Sequence, residues 1–546
     1  MGREGKPSGT ILIMATTVKI NKAAALLSAG RLREAVAILE KLEAKKPTEA
    51  RVLHPLGVAN AQLGRSLEAE NLLKRAHDAS PRSAVILTDL ATLLVTANRN
   101  AEALSYLDKA LRLEPNSEQA LFYRAVALTN LNRAQEALSI LDQLTAINPS
   151  RALYQHNRAS LLVQCGRYDE AEVLVNRVLA QQLGYPPSLL LKGLIEMNRE
   201  RFSDAIGIFD QIIAREPTFH EAIFNRGFIR MLTGEMASGW RDLESRWYAE
   251  IHPKPDLAAP HWSGESLEGR SLLVYCEQGF GDIFMFCRYL PLLANQGAEV
   301  FFLVPDQFIR LLQGLSADIQ VVSTIPRDRD IDFQIALMSL PYRLGTDLTN
   351  IPSDVPYLFA DPIKVAYWRD IIGSNGFKIG INWQGNPKSK VDPGRSIPLR
   401  AFYPISQVPG ARLISLQKHV GLEQLSDIPS DMTVETFEGS GTDGFIDTSA
   451  IMRNMDLIIS ADTSIAHLAG ALAIPVWLVV KRIPDWRWML EREDSPWYPT
   501  LRLFRQSVNG VWSDLFEKMA AELTACIARS NADRRKPSLH ALPAPP

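Results

Sequence analysis

Two short stretches hold residues whose types and spacing could do chemistry. The first is Glu277-Gln278-Gly279-Phe280-Gly281-Asp282, at the end of the apolar run Ser271–Cys276. Gly279 and Gly281 permit a tight turn and close approach of a ligand to the backbone. Asp282 opens a helical stretch running to Leu293, and a carboxylate beside a helix N-terminus is stabilised in its ionised form. In a cleft such a carboxylate accepts a proton from a hydroxyl; the same physics makes it an ordinary N-cap. The second stretch is Asp462-Thr463-Ser464-Ile465-Ala466-His467, after the run Leu457–Ser460. Free amides at the start of a helix suit a phosphate, and Thr463 and Ser464 add hydroxyls. His467 lies four residues after Thr463, on the same helix face. An Asp/Thr cap with a packed histidine accounts for the same pattern.

Further polar residues follow other apolar runs. Trp383-Gln384-Gly385-Asn386 ends the run beginning at Lys378, Gln417 and Lys418 follow Arg412–Leu416, and Lys388 and Arg395 occupy a polar loop. Lys418 suits a diphosphate, although an exposed lysine beside a strand is commonplace. The acidic stretch Asp328–Asp332 has no companion ligand cluster and is not expected to bind a metal. The Trp-rich segment from Asp485-Trp486-Arg487-Trp488 to Pro496-Trp497-Tyr498-Pro499 could stack on a base or sugar, or pack between lobes.

The elements that must position these residues alternate. Apolar runs at Ser271–Cys276, Glu299–Val304, Phe333–Leu337, Lys378–Trp383, Arg412–Leu416, Leu457–Ser460 and Val476–Val480 are separated by helical stretches. That alternation predicts parallel sheets with crossover helices. In such sheets ligands bind beyond the carboxyl ends of strands, which is where the polar residues collect. The length of this half predicts two α/β lobes, divided near 360–375.

The first half is a ladder. Ala35, Ala69, Ala103, Ala137, Ala171 and Ala205 recur every 34 residues, as do Pro47, Pro81, Pro115 and Pro149, with Pro217 two periods on. Twelve residues before each alanine stands Ala23, Gly57, Ala91, Ala125, Ala159 or Gly193. This is the tetratricopeptide pattern: small residues where two antiparallel helices cross closely, and proline where the second helix stops. Gly30-Arg31, Gly64-Arg65, Asn98-Arg99 and Gly166-Arg167 punctuate the hairpins. Six repeats and a degenerate seventh are expected, stacked as a superhelix whose concave face suits a protein or peptide; a spacer or a dimerisation surface accounts for the same pattern.

The chain has 546 residues, 46% hydrophobic and 22% charged, with 59 Lys plus Arg against 61 Asp plus Glu. This excludes wholesale disorder, and the balanced charge argues against a nucleic-acid binder. Four unpaired-looking cysteines and no bilayer-length apolar run predict a soluble, cytoplasmic protein without a transmembrane segment. All ten tryptophans lie at or beyond Trp240, so the two halves differ in character.

The second half resembles bacterial tetratricopeptide-repeat glycosyltransferase-like proteins, whose catalytic half is related to the ADP-heptose:lipopolysaccharide heptosyltransferases of glycosyltransferase family 9. The resemblance rests on Pro260-His261-Trp262-Ser263-Gly264, the 277–282 turn, Arg395-Ser396-Ile397-Pro398-Leu399 and Ser415-Leu416-Gln417-Lys418. It continues through 462–472, Asp485-Trp486-Arg487-Trp488 and 496–506, in consistent order. It implies a GT-B fold, two Rossmann-like lobes with a nucleotide-sugar between them, and metal-independent, inverting transfer with no cofactor. Asp282 matches the family's proposed base, and Asp462, Thr463 and His467 match its donor motif. Ser464 stands where heptosyltransferases commonly place glycine, and the family's lysine after the second lobe's first strand has only Lys388 and Lys390 as candidates. The order of repeats and lobes is also similar to that of O-linked N-acetylglucosamine transferases, which implies a protein or glycan acceptor.

The expected organisation is an α-solenoid over 16–250, a connector over 251–270, an acceptor-side lobe over 271–370, a donor lobe over 371–530 and a disordered tail over 531–546. Asp282 is the expected base, with Gly279, Gly281 and Arg395 beside it. Trp383, Asn386, Gln417, Lys418, Asp462, Thr463, Ser464 and His467 are the expected donor contacts. The alternative is an adaptor whose glycosyltransferase lobes are vestigial.

Overall fold

The computed structural model describes residues 9–248, 259–277, 279–326, 330–387, 394–437 and 443–535. Gln278, Asp328, Arg329, Lys388, Lys390, residues 251–258 of the connector and the tail from 536 lie outside them. The chain forms two compact units, 1–196 and 197–546.

The first unit is a series of helical hairpins: Gly9–Ser28 with Leu32–Glu43, Ala50–Gln62 with Ser66–Ala79, Ala84–Thr96 with Asn100–Leu113, Glu118–Asn130 with Ala134–Ile147, and Ala152–Gln164 with Tyr168–Gln181. The repeated alanines Ala35, Ala69, Ala103, Ala137 and Ala171 are fully buried. At Gly57 a Cβ would stand 2.8 Å from Leu73 Cγ, so the small residue is set by the helix crossing. Each hairpin turns through a left-handed residue one period apart: Gly30, Gly64, Asn98, Asn132 and Gly166. Glycine and asparagine are the residues that adopt this conformation most readily. The next amide then reaches back into the helix, as Arg31 N–H does to Leu26 O at 2.9 Å and Arg65 N–H to Asn60 O at 2.9 Å. The following helix starts with a repeated exposed ion pair, Arg31–Glu34, Arg99–Glu102, Arg133–Glu136 and Arg167–Glu170.

The second unit opens with helices Phe202–Arg215, His220–Leu232 and Met236–Leu243 and a tight turn of helix Glu244–Trp247. Here the expected boundary at 250 is corrected. Trp240 is 2% exposed and packs against Trp486, Trp497 and Phe286 at ring separations of 5.1, 6.4 and 6.2 Å. Its Nε1 donates to Thr346 O at 3.1 Å. The last helical hairpin is thus part of the α/β core, because its outer face is apolar and matched by tryptophans.

Among the described residues ten strands follow: β1 (Ser271–Tyr275), β2 (Glu299–Leu303), β3 (Ile319–Val322), β4 (Phe333–Ala336), β5 (Phe377–Asn382), β6 (Ala411–Ser415), β7 (Val434–Glu435), β8 (Leu457–Ala461), β9 (Val476–Val480) and β10 (Leu501–Arg505). They make two all-parallel sheets, ordered β3-β2-β1-β4 and β10-β9-β8-β5-β6-β7. β1 and β8 are buried along their whole length, as continuous apolar strands of parallel sheets are. Between the sheets in sequence stands the helix Pro362–Ile372, whose first amides are capped by Asp361. The closing helix Ser513–Arg535 buries Phe516, Met519 and Leu523 in the core of the second sheet. It runs through 531–535, where a disordered tail was expected. Among the described residues no helix is long and apolar enough to cross a membrane.

Candidate functional site

Both sheets reverse direction of growth at one point. In the second, the chain adds β6 and β7 outward from β5, then returns to place β8 on the other side of β5. In the first, it adds β2 and β3 beside β1, then places β4 on the opposite side. Crevices at such reversals, beyond the strand ends, are where open α/β sheets bind ligands. A cavity of about 890 Å³ lies there, walled by residues after β1, β5, β6 and β8. That volume fits a small-molecule ligand.

Two helix starts face this cavity, Phe280–Phe286 and Ser464–Ala471. They cross at Gly281, where a Cβ would be 2.8 Å from His467 Cδ2 and 3.6 Å from Ser464 Cα. Asp282 and the 462–467 turn therefore share one wall system. Asp282 is the third residue of its helix rather than the cap, which is Gly279. The Gly279 amide and the Arg487 guanidinium both bind its carboxylate, the backward reach of a first-turn acid to the cap amide. Burial pushes the Asp282 carboxyl up, and Arg487 opposes that shift. Burial, not the helix end, dominates the protonation of this group, contrary to the expectation from sequence.

Arg487 ties this corner together. It is 7% exposed, binds Asp485 at 2.7 Å as well as Asp282, and lies over the Trp486 ring at 4.3 Å. Against burial, Arg487 and Arg395 hold Asp485 below its ordinary value. Asp485 accepts from the Arg487 amide at 3.1 Å, so the Asp-Trp-Arg spacing is a local cap. Neither Arg487 nor Asp485 was expected at the site. The signal was present in that spacing, hidden among tryptophans that pack into the core.

At the second helix Thr463 is the cap. Its Oγ1 accepts from Ile465 N–H at 3.3 Å and donates to Asn382 Oδ1 at 2.7 Å. Asp462 is 5% exposed and pairs with Arg395 at 3.4 Å, while Arg395 also binds the Asp462 carbonyl. Burial raises the Asp462 carboxyl. Its role in the geometry is to hold Arg395 at the cavity wall, where Asn386 and Ser464 also lie. His467 sits with Nδ1 3.0 Å from the Tyr498 hydroxyl and stacks on Trp488 at 5.2 Å. Burial and the neighbouring Arg487 drive its pKa well below the ordinary value. His467 is accordingly a neutral imidazole, able to meet a ligand as a hydrogen-bonding group but not as a countercharge.

One further correction concerns the expected donor contacts. Trp383 turns into the core of the second sheet, fully buried, with Nε1 donating to Gly421 O at 3.1 Å. Apolar burial outweighs presentation to the cavity. Gln417 lines the cavity, but its Oε1 accepts from Asn382 Nδ2, Trp383 N–H and Gln384 N–H at 2.7, 3.2 and 3.1 Å. Its Nε2 donates to Gln384 O and Val420 O at 2.9 and 2.7 Å. It braces β5 against β6. Lys418 lines the exposed lip and donates to Gly444 O at 3.2 Å; desolvation lowers its ammonium pKa.

Glu277 also lines the cavity and was not singled out from the sequence. Asp332, from the acidic stretch, binds Ser271 N–H and Oγ at 2.9 Å each and Arg270 at 2.8 Å, stapling β4 to the start of β1. Among the described residues no group of three or more His, Cys, Asp or Glu is arranged to hold a metal ion.

Family models described as tetratricopeptide repeat match residues 20–84 and 88–152, and a second such model matches 152–177. Protein FlbA of Caulobacter vibrioides is 26% identical over 332 residues, 55% of this chain and 54% of that protein. The chain thus spans about half the length of this curated relative. A tetratricopeptide repeat protein from Parabacteroides merdae covers 43% of this chain at 18% identity, with 93% of its own chain matched and a TM-score of 0.39. Pseudomonas aeruginosa PilF covers 38% at 20% identity, with 95% of its own chain matched and a TM-score of 0.34. The chain carries tetratricopeptide repeats, a class of module that typically binds protein partners, followed by a parallel-sheet α/β region.

Proposed function

We propose that the chain is a glycosyltransferase of GT-B type, moving a sugar from a nucleotide-sugar to a hydroxyl of a protein or glycan acceptor. The observation that carries this reading is the single cavity at both sheet reversals, with a buried carboxylate on one wall and a helix N-terminus on the other. The diphosphate lies at the amides opening Ser464–Ala471, with Lys418 and Arg395 supplying positive charge. Asp282 accepts the proton of the acceptor hydroxyl as its oxygen bonds to the anomeric carbon. The bond from that carbon to the diphosphate oxygen breaks, and the leaving group keeps the electron pair. Amides and cations fixed before the reaction stabilise that charge without reorganising. His467, neutral and with Nδ1 engaged by Tyr498, offers Nε2 as a hydrogen-bonding group rather than a charge. The repeats hold the acceptor or its carrier.

Calorimetric titration with UDP-, GDP-, dTDP- and ADP-sugars tests the donor site. Asp282→Asn is expected to keep donor binding and lower turnover by about 10²–10⁴-fold; undiminished turnover excludes the base role. Thr463→Ala is expected to weaken donor binding. One observation favours the adaptor reading: Asp282 is already bound by Arg487 and the Gly279 amide. Failure of every nucleotide-sugar to bind would establish that reading instead.

A further inference from the structure

The reversal point of the first sheet is filled from within. Glu277 follows β1 and Ser339 follows β4, adjacent strands on either side of the reversal. Between them reaches Arg246, from the turn Glu244–Trp247 that ends the last helical hairpin. Arg246 is 2% exposed. Its Nη2 donates to both Glu277 oxygens at 2.9 and 3.1 Å and to Ser339 Oγ at 2.8 Å. Its Nη1 donates to Glu244 Oε1 at 2.5 Å and Leu243 O at 3.2 Å. Ser339 in turn donates to Glu244 at 2.9 Å. An element outside the sheets therefore grips the strand end from which the Asp282 helix departs.

We propose, resting on the transferase reading above, that Glu277 is a positioning residue: clamped by Arg246, its ionised carboxylate fixes the end of β1 and so aims Asp282 at the acceptor. One buried guanidinium is shared by two carboxylates, Glu244 and Glu277, with Asp282 a third acid nearby. Tyr275 and Cys276, the other titratable groups beside Glu277, are both held protonated by burial. Burial pushes Glu277 up to about 7, with Arg246 pulling down and Glu244 and Asp282 pushing further up. The clamp is complete only while Glu277 is ionised, so it loosens as pH falls through that value. A well-packed apolar pair would serve stability as well as this buried ion pair, and a clamp on the catalytic strand end gives the pair a function that packing alone lacks.

The test uses the full chain with Glu277→Gln, Glu277→Asp and Arg246→Lys. In the wild type, kcat is expected to fall below pH about 7. In Glu277→Gln, kcat drops about tenfold or more and that limb disappears, while donor Kd stays near wild type. Glu277→Asp restores most of the rate and the limb; Arg246→Lys, which loses the shared fork, behaves like Glu277→Gln. A Glu277→Gln profile superimposable on wild type overturns the proposal, as does equal loss of donor affinity and rate in both Glu277 variants. Amide exchange supplies an arm independent of turnover: Glu277→Gln should speed exchange over 279–283 and leave 464–471 unchanged. Unchanged exchange over 279–283 overturns the proposal. A wild type that binds no nucleotide-sugar defeats the transferase reading, and the exchange arm then decides the clamp by itself.

Discussion

Gly281→Ala is the sharpest perturbation of the site. The added methyl would stand 2.8 Å from His467 Cδ2 and 3.4 Å from Nε2. His467 has nowhere to retreat, being stacked on Trp488 at 5.2 Å and held by Tyr498 at 3.0 Å. Tyr498 in turn packs against Gly470, where a Cβ would stand 2.6 Å from its Cγ. The two helices must separate by several tenths of an ångström. Overpacking of this kind costs about 1–3 kcal/mol, against a gain of roughly 0.5–1 kcal/mol for alanine over glycine in a helix. The expected net effect is a loss of about 1–2 kcal/mol in denaturant unfolding of the second unit. Under the transferase reading, this displacement between Asp282 and the donor helix also lowers turnover, by less than the roughly 10²-fold that a misplacement of about 1 Å costs. Gly281→Ala combined with His467→Ala removes the collision, and the pair should show a favourable coupling energy. A neutral or stabilising Gly281→Ala would mean the ring is not wedged against this helix, and the account of the cavity's geometry would fail.

Three further outcomes follow from the same contacts. Glu277, raised by burial to about 7, contributes stability that is fully present below about pH 4.5 and lost as pH rises through 7; Glu277→Gln should flatten the unfolding free energy across that window. His467 is depressed, so its contribution is present above about pH 6.5 and lost as pH falls; His467→Phe should reduce acid sensitivity in thermal melts below that pH. Trp240→Ala removes a fully packed ring and should cost about 3–5 kcal/mol, measured by denaturant titration, and a chain starting at 251 should fail to fold cooperatively. A well-folded 251–546 fragment would contradict the placement of the last hairpin in that core.

The repeats were legible because one alanine, one proline and one small residue return on a fixed period, each tied to a local packing need. Seven of the strands were legible because parallel strands buried on both faces are continuous apolar runs. β3, β7 and β10 were not. β3 and β7 are short edge strands with half-exposed residues, and β10 alternates arginine with leucine and phenylalanine inside a segment dominated by tryptophan. Asp282, Thr463 and His467 could be placed near one another because strand ends predict where polar residues gather. Trp383 was misjudged because the same rule does not say which way a side chain turns. The clamp at Glu277 was invisible: Arg246 is 31 residues away and separated by a connector, and no periodicity links them. The boundary near 250 came from the end of the repeat pattern, whereas the structure divides at 196–197, and the helices beyond that point share a unit with the aromatic cluster around Trp240.

The confinement of all ten tryptophans to positions from 240 onward, with Trp240 inside the α/β core, has a spectroscopic consequence. Indole emission reports only on the second unit and is blind to the unit that ends at 196. Far-ultraviolet circular dichroism, by contrast, senses every helix of the repeats. Melted together, the two signals separate the unravelling of the array from the collapse of the sheets without any label or truncation.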